Sequence, residues 1–118
     1  MKTLILGASP NPSRYSNKAV RWLKINGHEV VPVGIRKGII SETEIIIGTP
    51  FFKDIHTVTL YLGPARQTEY YEYILSLKPK RLIFNPGTEN AEFEKLAIKN
   101  NIETVENCTL VMLNTDEF

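Results

Sequence analysis

Two short stretches of the sequence carry residues of the kind that bind phosphate groups. The first, Gly7 to Ser13, begins with a glycine, which lets the backbone approach a ligand closely, and it precedes a predicted helix. Free N–H groups at the start of a helix bind anions. The stretch lacks the second and third glycines of the dinucleotide-binding fingerprint GxGxxG. We interpret it as a phosphate loop of another type, with a tight turn as the structural alternative.

The second stretch, Gly34 to Gly38, places Arg36 and Lys37 directly after a predicted strand. Enzymes that use NAD usually have an Asp or Glu there, which binds the ribose hydroxyls of the adenosine. A pair of cations suits an additional phosphate on that ribose instead, and both NADP and coenzyme A carry one. A solvent-exposed basic turn is the structural alternative. The topology also predicts Arg14 and Arg66 near this site.

The sequence offers few residues for catalysis. His28 and His56 each precede a predicted strand, which puts them at the edge opposite a ligand, and neither has a partner spaced for a triad or a metal site. Glu106 is the acidic residue nearest to the carboxyl edge of the predicted sheet, and it has no evident acid–base partner. Cys108, the only cysteine, is either a reactive thiol or a buried, inert one. We predict no catalytic residue and no metal site, and the sequence favours a binding protein over an enzyme.

The elements that would position these residues alternate between strand and helix. Short apolar runs predict five strands, and helical periodicity predicts three helices between them. The predicted strands are Thr3–Leu6, Val30–Val33, Thr57–Leu62, Arg81–Phe84 and Ile102–Val105, and the predicted helices are Ser16–Asn26, Ala65–Leu77 and Asn90–Asn100. Residues 34–54 show no clear pattern, although Ile45–Ile47 could form a short strand or pack under a loop. Leu110–Leu113 is expected to pack on the domain.

This alternation predicts an α/β fold, a Rossmann-like three-layer α/β/α domain with a mainly parallel five-stranded sheet. Its length of 118 residues suits a single domain spanning residues 1–118. Ligands of such sheets bind beyond the carboxyl ends of the strands. The residues that follow the strands are therefore the predicted site: Gly7, Ala8, Ser9, Asn11, Gly34, Arg36, Lys37, Gly63, Pro64, Asn85, Pro86 and Gly87, with Arg14 close by.

The composition narrows the class of partner. A net charge of +1 gives no general attraction to nucleic acid or to a membrane surface. No segment has the length of a membrane span or of a signal-peptide core. The single cysteine fits a reducing compartment, so we expect a cytoplasmic protein. The expected partner is a small-molecule nucleotide cofactor. A homodimer through the predicted helix Ala65–Leu77, which contains three tyrosines, is the further partner that the sequence leaves open.

Taken in order, the motifs resemble the coenzyme A-binding domain family, the group similar to the N-terminal domain of the succinyl-CoA synthetase α subunit. The segments that carry the resemblance are LILGASPNPSRYS, NGHEVVPVGIRKG, TLYLGP, IFNPGTEN and ENCTLVML. They cover nearly the whole chain. The resemblance implies a Rossmann-like fold that binds the ADP and pantetheine parts of coenzyme A along the carboxyl edge of the sheet.

The resemblance also implies roles for individual residues. The phosphate loop would be lined by Gly7, Ser9 and Asn11. The nucleotide would be contacted by Val33, Gly34 and Lys37, with Lys37 nearest the ribose phosphate. The ligand would be flanked by Tyr61, Gly63 and Pro64, and the fourth edge would be formed by Asn85, Pro86 and Gly87. Pro10 and Pro12 depart from the synthetase, whose loop is glycine-rich. The phosphorylated histidine of the synthetase belongs to a second domain that this chain lacks, so ligase activity is not implied.

Three functions are consistent with the sequence. The first is a protein that binds coenzyme A or an acyl-CoA without catalysis, as a carrier, sensor or regulatory module. The second is an NADP-binding enzyme or a fragment of one, which the basic pair at Arg36 and Lys37 permits. The third is an interaction domain whose nucleotide pocket is vestigial.

Overall fold

A computed structural model describes residues 1–118, and strands alternate with helices along most of the chain. The strands are β1 (Thr3–Leu6), β2 (Val30–Gly34), β3 (Ile39–Ile40), β4 (Thr43–Glu44), β5 (Ile46–Ile47), β6 (Thr57–Leu60), β7 (Arg81–Phe84) and β8 (Glu103–Glu106). The helices are α1 (Tyr15–Ile25), α2 (Pro64–Gln67), α3 (Tyr71–Leu77), α4 (Ala91–Lys99) and α5 (Thr109–Asn114), with a 3₁₀ turn at Thr68–Tyr70.

The main sheet has the order β5-β2-β1-β6-β7-β8, and every neighbouring pair is parallel. This confirms the Rossmann-like α/β fold with β1 in the centre. The prediction of five strands is wrong, because the sheet has six. The additional strand, β5, pairs with the end of β2 through Val33 and Ile46. It is only two residues long and falls within Ile45–Ile47, where a short strand was one of the two alternatives, so its alternation was too short to decide between them.

Helices cover both faces of the sheet and create two apolar layers. On one face, α3 and α4 contribute Ile74, Leu77, Phe93 and Ala97 to a core that includes alternate residues of β1, β6 and β7. On the other face, Val20 and Leu23 of α1 pack near Ile5 of β1. All residues of β1, β6 and β7 are buried, as expected for strands covered on both sides.

Several predicted boundaries differ from the structure, and three of them are informative. Helix α1 begins at Tyr15, one residue before its predicted start, and Ser16 is a buried residue of its first turn. Strand β6 ends at Leu60, two residues earlier than predicted. The predicted helix Ala65–Leu77 is divided into α2, the 3₁₀ turn and α3. The polar stretch between Arg66 and Glu69 has no apolar face to pack, so only the periodic part after it forms a regular helix.

A β-hairpin occupies the segment that gave no clear sequence pattern. Strands β3 and β4 pair antiparallel, joined by a two-residue turn in which Ser41 and Glu42 have φ values of 46° and 67°. Lys24 of α1 holds this turn by donating hydrogen bonds to the Ser41 carbonyl and to Thr43 Oγ1. Among the helices of the whole chain, none combines the length and apolar character needed to cross a membrane.

Candidate cofactor-binding cleft

The carboxyl ends of β1, β2 and β6 surround a cleft of about 420 Å³. These are the three central strands around the reversal of strand order, where open α/β sheets bind ligands. Most of the predicted site residues line the cleft, namely Gly7, Ala8, Ser9, Asn11, Arg14, Val33, Gly34, Arg36 and Tyr61. Lys37, Gly63, Pro64, Asn85, Pro86 and Gly87 are not among the lining residues. The cleft therefore uses three strand ends of the sheet and excludes the fourth predicted edge.

The first two loops of the cleft are packed directly against each other. The N–H groups of Gly7 and Ala8 both donate to the Val33 carbonyl at 2.9 Å. A β-carbon on Gly34 would lie 2.3 Å from the Ala8 carbonyl oxygen, and one on Gly38 would lie 2.5 Å from Cβ of Pro10. Gly34 is required because the backbone of the first loop lies too close for a side chain, and Gly38 because the ring of Pro10 fills the space. This contact fixes the floor of the cleft before any ligand binds.

The rest of the first loop is held by its own polar side chains. Asn11 Oδ1 accepts hydrogen bonds from the Ser13 N–H at 3.0 Å and from Ser13 Oγ at 2.8 Å. The Asn11 N–H donates to Ser9 Oγ at 3.2 Å, and buried Asn17 donates its amide to the Ser9 carbonyl at 2.9 Å. Asn11 thus shapes the turn that leads into α1, and its side-chain oxygen is already engaged.

Helix α1 begins at the cleft without a cap. Arg14 occupies the N-cap position but its side chain accepts no hydrogen bond, and the first turn contains no acidic residue. Helix α4 shows the contrast, because Asn90 Oδ1 accepts from the Phe93 N–H and acidic residues follow in its first turn. Since Tyr15 and Ser16 line the cleft, the first-turn N–H groups of α1 are available to an anion there.

Three arginines, Arg14, Arg36 and Arg66, line the cleft, and no carboxylate does. All three are exposed and none forms an ion pair, because the one ion pair in the structure joins Lys2 and Glu29, with Nζ and Oε2 3.8 Å apart. The cleft therefore has a local positive field although the whole chain is nearly neutral. Lys37, the neighbour of Arg36, is exposed outside the lining.

Asn85 follows β7 but serves the packing of the domain. It is buried, and its Nδ2 donates to Thr59 Oγ1 at 2.6 Å and to the Leu60 carbonyl at 2.8 Å. Its Oδ1 accepts from the Thr109 N–H at 2.9 Å, at the start of α5. The side-chain nitrogen and oxygen of Asn85 are thus both hydrogen-bonded within the domain. Pro86 and Gly87 are exposed beside it.

Comparison with known proteins gives matches that cover almost the whole chain. A family model described as a CoA binding domain matches residues 1–114. The chain belongs to the CoA-binding domain family. A solved structure of an uncharacterised protein is similar to it at 53% identity and a TM-score of 0.97, over 99% of this chain and 97% of that one. No curated protein matches the chain.

Two more distant structures share the fold of this CoA-binding domain. A protein from Thermus thermophilus is 22% identical, with a TM-score of 0.86 over 99% of this chain and 90% of that one. A hypothetical protein from Pyrococcus horikoshii is 23% identical, with a TM-score of 0.85 over 96% of this chain and 81% of that one. At this identity the likeness concerns the fold alone.

Several residues that line the cleft were not among the predicted site residues. Tyr15, Ile35, Leu62 and Tyr70 line it, and both Tyr15 and Ile35 are mostly exposed. Ile35 follows β2 directly, and this place after a strand end was the available signal. Leu62 gave no such signal, because the predicted strand ended at Leu62 whereas β6 ends at Leu60. Tyr70 packs against the core and also reaches the cleft.

Tyr61 lies deepest among the aromatic lining residues. Its hydroxyl is buried and has no hydrogen-bond partner. Burial raises the pKa of the Tyr61 phenol to about 12, so the side chain stays neutral across the physiological range. A neutral ring there offers an apolar wall to a ligand, while its hydroxyl is enclosed within the domain near Thr59 and Thr109.

The titratable residues outside the cleft occupy the places predicted by topology. His28 and His56 lie at the amino edge of the sheet, where His28 Nδ1 is 2.8 Å from the Met1 amine and His56 Nδ1 is 2.8 Å from Thr57 Oγ1. Glu106 ends β8, and its pKa is raised by Glu94 close by. Cys108 is a half-buried free thiol that does not line the cleft.

Proposed function

We propose that this domain holds coenzyme A, or an acyl-CoA, in the cleft as a non-catalytic carrier, sensor or regulatory module. The observation that carries the proposal is the uncapped N-terminus of α1 between Arg14 and Arg36, in a cleft without carboxylates. Coenzyme A is a polyanion with a diphosphate and a phosphate on the ribose. Membership of the CoA-binding domain family supports the same ligand.

The geometry suggests an orientation for the coenzyme. The diphosphate would lie against the first turn of α1, where N–H groups and Arg14 stabilise negative charge. The adenosine would lie toward the end of β2, with its ribose phosphate near Arg36. The pantetheine arm would run toward the end of β6, beside Tyr61 and Tyr70. In this orientation Arg36 is the closer cation to the ribose phosphate and Lys37 the more distant one.

The residues that line the cleft support a role without catalysis. They include no Asp, Glu, His, Cys or Lys, so the hydroxyls of Ser9 and Ser16 have no general base beside them in the lining. The phenol of Tyr61 is held neutral, as its raised pKa indicates. The groups available are backbone N–H groups, arginines and aromatic rings, which bind and orient a ligand.

NADP is the second candidate ligand, because a guanidinium at the end of β2 also suits a 2′-phosphate. Isothermal titration calorimetry with coenzyme A, 3′-dephospho-coenzyme A and NADPH separates the two. We expect coenzyme A to bind and the dephospho form to bind about tenfold more weakly or worse. Preference for NADPH would favour the dinucleotide. Absence of binding by all three would favour the interaction domain with a vestigial pocket.

Arg36 provides the residue-level test of this assignment. We expect Arg36→Gln to weaken coenzyme A binding by about 1.5–3 kcal/mol, the value of a hydrogen bond to a charged group. Binding of 3′-dephospho-coenzyme A should stay unchanged, because the contact is made to the missing phosphate. Lys99→Gln removes one exposed cation from α4, outside the cleft, and is the matched control. An equal loss for both ligands would contradict the role given to Arg36.

The proposal includes a cytoplasmic location, which the free thiol of Cys108 suits because a reducing compartment keeps thiols unpaired. Native mass spectrometry of the protein as purified tests ligand and assembly together. We expect a mass increment equal to coenzyme A or an acyl-CoA, and the number of chains per particle will show whether a homodimer forms. An added mass that matches NADP would replace coenzyme A as the ligand.

A further inference from the structure

One wall of the cleft is formed by a segment that has little to hold it in place. Residues 63–69 follow β6, and Arg66 from this segment lines the cleft. Helix α2 has four residues and Gly63 offers it no side-chain cap, so it is too short to be stable by itself. Gln67 is the only buried residue between positions 63 and 69. The position of this wall therefore depends on how Gln67 is held.

Gln67 is fully buried, and all of its polar atoms are hydrogen-bonded. Its Nε2 donates to the Leu62 carbonyl at 2.8 Å and to the Thr88 carbonyl at 2.7 Å. Its Oε1 accepts from Asn90 Nδ2 at 3.0 Å. An apolar side chain could fill the same space without the cost of burying an amide. What the amide adds is a connection between the loop after β6 and the loop after β7.

This connection ends on rigid structure. Asn90 is the N-cap of α4, where its Oδ1 accepts from the Phe93 N–H at 3.1 Å, and Phe93 is fully buried. The same Nδ2 that reaches Gln67 also donates to the hydroxyl of Tyr71 at 2.8 Å. The cleft wall is thereby fixed to the first turn of α4 and to α3. None of these bonded partners except Leu62 lines the cleft.

We propose that Gln67 is a positioning residue, which fixes Arg66 and Tyr70 for the part of the ligand that lies beyond the diphosphate. This inference rests on the proposed function, because the ligand concerned is coenzyme A. Arg66 is exposed and flexible by nature, so anchoring the neighbouring residue reduces the entropy lost when its guanidinium binds. Gln67 itself makes no contact with the ligand.

The test compares two ligands on the same variants. Adenosine 3′,5′-bisphosphate lacks the pantetheine arm and should use only the β2 side of the cleft and the first turn of α1. We expect Gln67→Met to weaken coenzyme A binding by about tenfold and to leave adenosine 3′,5′-bisphosphate binding within about twofold of the wild type. In an Arg66→Gln background, Gln67→Met should cause a smaller further loss than in the wild type, because only its effect through Tyr70 is left.

The Gln67→Glu variant adds a pH-dependent readout, and its affinity for adenosine 3′,5′-bisphosphate, which should stay close to that of the wild type at each pH, separates positioning from a general loss of stability. A buried carboxylate facing two carbonyls is repelled, whereas its protonated form donates to one carbonyl and still accepts from Asn90. Coenzyme A affinity of this variant, measured relative to the wild type at each pH, should recover as the pH falls. The methionine variant should show no such recovery. This series also decides the question if Gln67→Met does not fold.

Unchanged coenzyme A binding by Gln67→Met would overturn the inference, as would an equal loss for both ligands or a Gln67→Glu variant without recovery. Each of these outcomes leaves the proposed function standing, because the wild type would still bind. A wild type that binds neither ligand would instead remove the proposed function, and the role of Gln67 with it.

Discussion

At the scale of single residues, Gly34 has the most demanding surroundings in the cleft. A β-carbon there would lie 2.3 Å from the Ala8 carbonyl oxygen, so Gly34→Ala must push the first loop away from β2. We expect a loss of about 1–3 kcal/mol in the free energy of unfolding and weaker coenzyme A binding. Gly63→Ala is the control, because nothing lies within 4 Å of its β-carbon position and its φ of −65° suits any residue. Urea denaturation measures both, and equal stabilities would contradict the prediction.

The sequence indicated which residues follow the strands, and this was enough to predict most of the cleft. It could not indicate which way each side chain points once the strand has ended. Asn85 has a polar side chain and follows a strand, as a site residue would, yet its amide is hydrogen-bonded to Leu60 and to the start of α5. Gln67 shows the opposite case, since a polar residue in an apparent helix gave no sign of the partners it finds across the fold. Those partners depend on tertiary contacts.

At the scale of elements, the β3–β4 hairpin is the least predictable part of the chain. Ser41 and Glu42 both have positive φ, which is the geometry of a type I′ turn, but the usual Asn-Gly sequence is absent. Its strands are two residues long, so the alternation that marks a hairpin is absent as well. The turn is held by Lys24 from α1, a contact far away in the sequence. A tertiary hydrogen bond thus replaces the local signal.

The same turn predicts a stabilising substitution. Glu42 has a φ of 67°, which costs a residue with a β-carbon about 1 kcal/mol, and glycine avoids this cost. We expect Glu42→Gly to raise the free energy of unfolding by up to about 1 kcal/mol. Glu44→Gly lies in β4 and should destabilise the hairpin instead, so it is the control. Thermal unfolding of both variants checks the opposite signs, and a shared direction would argue against strain at Glu42.

At the scale of the whole molecule, the two edges of the sheet have different chemistry. The carboxyl edge carries the cleft, and the amino edge carries His28 and His56. Partial burial lowers the pKa of both imidazoles, and the positive charges of Arg81 and the Met1 ammonium lower it further. At His56, Lys80 lowers the pKa as well, whereas Glu103 raises it. A backbone hydrogen bond at Met1 partly opposes the shift of His28. The folded state therefore binds fewer protons than the unfolded state below the ordinary pKa of 6.5.

It follows that the stability contributed by these neutral histidines is complete above about pH 6.5 and is lost as the pH falls through their folded pKa values. We expect the free energy of unfolding to decline between pH 7 and pH 5, and a His28→Gln, His56→Gln double variant to show a shallower decline. Urea denaturation at several pH values measures the slope. Coenzyme A affinity at pH 7 should be the same for both proteins, because neither histidine lines the cleft. An unchanged slope would remove the histidines from the explanation.

The topology at this scale was predictable because alternating strands and helices permit few arrangements. Strand β1 is the first strand of the chain, yet it lies in the middle of the sheet, between β2 and β6. During synthesis β1, with its apolar side chains, leaves the ribosome long before Leu60, the last residue of β6, is available to pair with it. For that interval at least one side of β1 exposes unpaired N–H and C=O groups. The strand that organises the finished cleft is thus the segment of the nascent chain with the longest need for protection from aggregation.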